Sequence, residues 1–181
     1  MTSWAARTND GSYGLVIETD ALRELDSMCA AAGDIETGGV LVGQYSTNLV
    51  TAIVLEVTAP PSDSRQGPSW FNRGVAGLRE MLHRRWRSKE RRYYVGEWHF
   101  HPSTDIEPSS HDIAQMYKIR DDLNYHCSEP VLLIFGRLGD GHKRAARAFV
   151  FPHGDRYMEL VPLPNNRLQW TSLMRAAEPE R

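Results

Sequence analysis

The stretch Trp98-His99-Phe100-His101-Pro102, with Ser109 and Asp112 after it, governs how the rest of this 181-residue chain is read. Its spacing is H-x-H-x7-S-x2-D. Tyr93 to His101 reads as a strand, and on a strand the side chains at i and i+2 leave on the same side. His99 and His101 can therefore turn both imidazoles toward one ion. Pro102 ends the strand, residues 102–108 form a returning loop, and Ser109 or Ser110 can cap a helix reaching about Asp121. Asp112, in the first turn of that helix, then offers an oxygen ligand. Three protein ligands leave one coordination position open, the arrangement of catalytic zinc sites, whereas structural sites are closed by four. Zinc held in this way lowers the pKa of water toward about 7 and polarises a carbonyl. The pattern predicts metal-assisted hydrolysis, with one zinc per chain.

Such a centre needs a carboxylate that takes up a proton without being a ligand itself. Three residues compete for the role. Glu36 ranks first, because Thr37-Gly38-Gly39 follows it and the glycines let backbone pass close to a site or a partner strand. Glu97 lies on the histidines' face of the strand, two residues before His99, and ranks second; Glu107, in the loop, is third.

Working outward, Tyr13 to Glu18 reads as a strand, and Thr19 or Asp20 can cap a helix running to about Gly33 with Leu22, Leu25, Cys29 and Ala32 on one face. That face makes Cys29 a core residue and not a nucleophile. Thr37 to Gly43 and Leu49 to Val57 read as an antiparallel hairpin turned near Asn48. The Pro- and Gly-containing stretch 59–69 reads as an irregular surface loop and a wall for substrate. Phe71, Val75, Leu78, Leu82 and Trp86 recur at helical spacing, predicting a second helix from Phe71 to about Lys89. Val131 to Phe135, Ala145 to Phe151 and Tyr157 to Leu163 read as further strands. The expected division is an N-terminal segment 1–12, one domain 13–163 and a weakly ordered tail 164–181, with Trp170 near the tail's start.

The composition is that of a globular domain, 41% hydrophobic and 24% charged, with a formal net charge of -2. Neither nucleic acid nor membrane is favoured as a partner by this balance. One local exception is the stretch from Phe71 to Arg92, where eight Lys/Arg face two Glu. A solvated face is the plain explanation; an acidic protein partner or a nucleic acid is the sharper one. The two cysteines form no CxxC pair, and no run of apolar residues is long enough to span a bilayer, so a reducing, cytoplasmic setting is expected. There is no HExxH, and no HxE paired with PCxxC, so zincin and deaminase chemistry are excluded.

Together these residues resemble the motif of the JAB/JAMM (MPN+) zinc metalloproteases, an upstream Glu followed by H-[ST]-H-P-x6-S-x2-D. The resemblance covers roughly residues 13 to 163. It implies an α/β, cytidine-deaminase-like fold with a mixed curved sheet flanked by about three helices. It also implies that Glu36 is the general base, that His99, His101 and Asp112 hold Zn2+, and that Ser109 supports the oxyanion. Phe100 departs from the family's Ser or Thr, but it points to the opposite face from the histidines, which predicts altered packing and no lost ligand. Trp70-Phe71-Asn72-Arg73 and Gly96-Glu97-Trp98-His99-Phe100-His101-Pro102 resemble bacterial members. Those accompany ubiquitin-like conjugation machinery, including antiphage systems with E1- and E2-like enzymes. The implied substrate is the amide after the C-terminal glycine of a ubiquitin-like protein. Its rivals are an inactive MPN scaffold, a zinc amidase for a small metabolite or sulfur-carrier protein, and a nucleic-acid module using the basic helix.

Overall fold

The computed structural model describes residues 3–103, 105–139 and 143–164. Ten strands and three helices follow in the order β1 (Trp4–Arg7), β2 (Gly14–Ile17), α1 (Thr19–Ala32), β3 (Thr37–Tyr45), β4 (Thr51–Val57), β5 (Arg65–Gly67), β6 (Trp70–Asn72), α2 (Leu78–Arg87), β7 (Tyr93–Phe100), α3 (Ser110–Asp121), β8 (Val131–Gly139), β9 (Lys143–Val150) and β10 (Met158–Pro162). Eight strands close into a barrel in the order β1-β10-β9-β8-β7-β3-β4-β2, while β5 and β6 form a separate hairpin. The sheet is mixed, as expected. β2 with β4 and β7 with β8 are parallel, and the other pairs are antiparallel.

Both faces of this sheet are buried, and period-2 alternation sorts the residues between two cores. Leu133 and Phe135 of β8 join Trp98, Phe100 and Leu41 in the core that includes Leu22, Leu25 and Cys29 of α1. Leu132 and Ile134 join Val40, Val42 and Tyr94 in the core beneath Leu78 of α2 and Met116 and Ile119 of α3. β7 is thus packed on both sides, and Glu97 and His99, with His101 just past its end, share the side of α3.

Three expectations need correction. Residues 4–7, in which no element is expected, form β1 and complete the barrel by pairing with β2 and β10. Trp4 and Ala6 are buried, but with Ala5 apolar as well the four-residue strand WAAR shows almost no alternation. The second helix begins at Leu78 and not at Phe71. Gly77 before it adopts φ 70°, a left-handed conformation that glycine accepts without penalty, and Val75 is exposed. Asp63 accepts the amides of Val75 (3.0 Å) and Ala76 (2.9 Å), holding this stretch as a turn. Lastly, the loop 59–69 contains β5, which pairs through Gln66 with Phe71 of β6.

The first helix matches its expected span, although neither Thr19 nor Asp20 caps it; Glu18 occupies the cap position without a side-chain bond. On the basic stretch, Arg85 is paired with Glu56 (2.6 Å), and Arg92 also reaches Glu56 (3.6 Å), so part of the surplus charge is spent inside the fold. Cys29 and Cys127 are free and buried. Among the described residues, no helix is long and apolar enough to cross a membrane. Trp170 and the tail from 165 onward lie outside the described residues.

Candidate metal centre

His99 and His101 lie at the end of β7, on a strand anchored by β3 on one side and β8 on the other. Thr37 pairs with Phe100, Gly38 with His99 and Gly39 with Trp98. Glu36 immediately precedes Thr37, so extending the same register by one residue would set it opposite His101, where cross-strand partners share a face. A side chain at position 38 would fill the centre, since a Cβ there would lie 2.7 Å from Phe71 Cε1 and 2.9 Å from His99 Cδ2. The glycine is what lets His99 occupy this face.

The loop after Pro102 delivers Ser109 as the N-cap of α3. Asp112 accepts from Ser109 twice through Oδ2, from its amide (2.8 Å) and its hydroxyl (2.7 Å), and the Asp112 amide donates to Ser109 Oγ (3.1 Å). This reciprocal capping box fixes the carboxylate and leaves Oδ1 toward His99. His99 Nδ1 is 2.9 Å from Asp112 Oδ1, and His101 Nε2 is 3.8 Å from Oδ2. One donor atom from each of His99, His101 and Asp112 falls within 4.8 Å of the others, and all three residues are buried. They are positioned to hold a metal ion.

The protonation pattern fits a cation. Burial would raise the Asp112 carboxyl, but the bonds from His99 and Ser109 outweigh it and hold the group well below the usual carboxylate range. Burial likewise disfavours charge on His99, yet Asp112 and Glu97 prevail and raise it to about 9. Positive charge at this point is therefore stabilised, whether a proton or a metal carries it. His101, lowered chiefly by burial, keeps a lone pair at neutral pH. Two imidazoles and a carboxylate are the donors that zinc prefers.

The three candidate bases now separate. Glu36 is half-buried, with its carboxyl raised by burial and by the charge of Asp112, while His99 acts in the opposite sense. Its amide donates to Gly67 of the β5–β6 hairpin (2.9 Å). Among the described residues it is in none of the ion pairs. Glu107 is exposed and paired with Arg147. Glu97 is wholly buried, ion-paired with Arg73 Nε (2.6 Å) and accepting from Gln115 Nε2 (2.8 Å). Of the three, Glu36 alone keeps a carboxylate free of such partners.

Several site residues escaped the sequence. Phe71 packs edge-on against His99, with ring centroids 5.4 Å apart. His111 is exposed and meets Asn72 of the hairpin, with Nε2 2.8 Å from Oδ1. Arg73 and Gln115 are the others. Assigning Phe71 and Arg73 to a helix hid them, although the string Trp70-Phe71-Asn72-Arg73 had already stood out.

Residues 18–150 match the family described as prokaryotic homologs of the JAB domain. The chain belongs to that family. It is also 44% identical, over 149 residues, to the CD-NTase/cGAS isopeptidase of Enterobacter hormaechei subsp. hoffmannii, covering 82% of this chain and 81% of that one. A solution structure of a Desulfitobacterium hafniense protein shares the fold with a TM-score of 0.56 at 23% identity, over 79% of this chain and 87% of the other.

Proposed function

We propose that this JAB-domain protein is a zinc-dependent isopeptidase that hydrolyses the amide bond after the C-terminal glycine of a ubiquitin-like protein. The observation that carries the reading is the convergence of His99, His101 and Asp112, and the base role of Glu36 is supported by a carboxyl that feels the charges of Asp112 and His99. The resemblance to a bacterial protein named an isopeptidase supports the bond class. Deconjugation or precursor processing in a bacterial, cytoplasmic, antiphage conjugation system with E1- and E2-like enzymes is the setting this implies. The fold assignment within this proposal is cytidine-deaminase-like, supported by α1 on one side of the mixed sheet and α2 and α3 on the other.

A bound zinc supplies Lewis acidity and a more acidic water. Glu36 takes the proton from the attacking water and returns it to the leaving amine; its raised pKa brings it closer to the working pH, as an acid-base group requires. Ser109 first orients Asp112, and as negative charge develops on the substrate oxygen it turns its single O–H from Asp112 Oδ2 to that oxygen. The β5–β6 hairpin is tied to Glu36 through the Gly67 carbonyl, and an extended glycine-ended tail can add to this hairpin as a further strand.

The test is cleavage of an amide-linked fusion to the C-terminus of a ubiquitin-like protein, with zinc quantified in parallel. Wild type should cut after the terminal glycine, and Glu36→Gln should keep its zinc while losing at least about 100-fold in kcat. Zinc bound with no cleavage of any such fusion would remove the substrate assignment and favour a zinc amidase for another substrate.

A further inference from the structure

We propose that Glu97 is a positioning residue for the metal centre, acting through His99, and that Arg73 holds it in place while tying the β5–β6 hairpin to the same centre. The inference rests on His99 being a metal ligand. The two nitrogens of His99 face different carboxylates. Nδ1 is on the Asp112 side at 2.9 Å, while Nε2 lies 3.6 Å from Glu97 Oε2. Nε2 is buried and has no hydrogen-bond partner of normal length. A neutral imidazole carries one N–H and one lone pair. With Asp112 ligating the ion, the carboxylate that remains to accept from His99 is Glu97 on the Nε2 side, which selects the tautomer with the proton there and leaves the lone pair of Nδ1 for the ion. Slight closure of the 3.6 Å gap completes a carboxylate–histidine–metal relay, the arrangement that orients ligating histidines and increases their basicity.

Glu97 is built to stay in that place. Its side chain is 0% exposed and that of Arg73 only 3%. Arg73 Nε donates to Oε1 (2.6 Å), Tyr94 donates more weakly to the same oxygen (3.4 Å), and Gln115 of α3 donates to Oε2 (2.8 Å). Arg73 also donates through Nη2 to the Tyr125 hydroxyl (2.7 Å) and through Nη1 to the Gly74 carbonyl (2.8 Å). Buried ion pairs add little net stability compared with apolar residues of similar volume. What this one provides is a carboxylate with no freedom to move, facing a ligand. Arg73 directly follows β6, so the same contact fastens the hairpin whose Phe71 lies against the other side of His99.

The experiment measures zinc affinity by chelator competition, and the absorption spectrum of the cobalt-substituted protein, for wild type, Glu97→Gln and the double variant Arg73→Met/Glu97→Leu. The double change replaces a buried pair by apolar side chains and so preserves folding without the acceptor. Zinc binding should weaken about 10–100-fold in both variants, with a shifted cobalt spectrum and unchanged far-ultraviolet circular dichroism. Wild-type zinc affinity and an unchanged cobalt spectrum in either folded variant would overturn the assignment. A wild type that binds zinc tightly but cuts no ubiquitin-like fusion would defeat the isopeptidase reading and leave this one standing; a wild type that binds no zinc would defeat both.

Discussion

Phe100 stands where the family carries a small hydroxyl residue, between two histidines whose side chains go the other way. Its ring is 1% exposed in the core shared with Trp98 and Leu41, and the guanidinium of Arg144 lies over it at 5.4 Å. Arg144 is itself anchored by Asp26 (3.0 Å) and the Gly136 carbonyl (2.8 Å). Phe100→Ser should therefore act on stability, costing about 3–5 kcal/mol as a buried aromatic is lost, while zinc content stays at one per chain; urea unfolding and metal analysis would test this. The cysteines allow a second check at this scale. Burial is the main cause that pushes both thiols up to about 12. Neither is a nucleophile at neutral pH, so native protein should not react with a thiol reagent at pH 8 until denaturant is added, and Cys29→Ala should retain full activity. Fast labelling of the native protein would contradict both statements. At this scale the sequence was informative: the period of a strand told which side Phe100 faces, and the period of a helix told that Cys29 is core. It could not reveal Arg73, because an arginine buried against a glutamate looks the same in sequence as one of eight in a basic run.

Elements were less legible than residues. The strand β7 and the helix α3 followed directly from the motif, since Pro102 and the Ser109–Asp112 box are local devices that bound them. The hairpin β5–β6 has no comparable signal. Its strands are three residues long, and Phe71 of β6 and Val75 in the turn after it fall by coincidence in helical phase with Leu78. What decides against a longer helix is long-range: Gly67 binds the Glu36 amide, Asp63 binds the turn, and Phe71 fills the space beside His99. The β3–β7 pair gives a prediction of its own. Gly38→Ala would set a methyl group against the Trp98 carbonyl, Phe71 and His99, and backbone cannot yield as a flexible side chain would. The variant should lose about 1–3 kcal/mol of stability, as overpacked sites do, and should also bind zinc more weakly because His99 is displaced. Lower stability with unchanged zinc affinity would mean that the hairpin moved and His99 did not. The capping box is separable in the same way. Ser109→Ala should cost about 0.5–2 kcal/mol through the helix terminus, and should reduce kcat beyond any effect on zinc content if the hydroxyl also serves the substrate oxygen.

At the level of the whole molecule, the order of strands and helices was legible in the patterns and the α/β class with its mixed sheet was implied by the family resemblance, but closure of the barrel followed from neither. Closure depends on β1, a four-residue strand that pairs with β2 next to it in sequence and with β10 at the far end of the described chain. The result bears on how metal and fold are coupled. Eight strands pair in a closed ring, and two cores of apolar side chains fill both of its faces without help from His99, His101 or Asp112. A small zinc-stabilised domain unfolds when its metal is removed; this one has enough buried apolar surface to stand without it. Chelation should therefore leave the far-ultraviolet circular dichroism unchanged at 25 °C. The melting temperature should still fall, because a ligand bound only by the native state stabilises it by about 2.7 kcal/mol when present at 100 times its Kd. For a domain of this size each kcal/mol corresponds to roughly 2–4 °C, so the expected drop is about 5–10 °C, recovered on adding zinc. Unfolding on chelation at 25 °C would show that the centre carries the fold, as a closed structural site does, and would count against an open position for substrate.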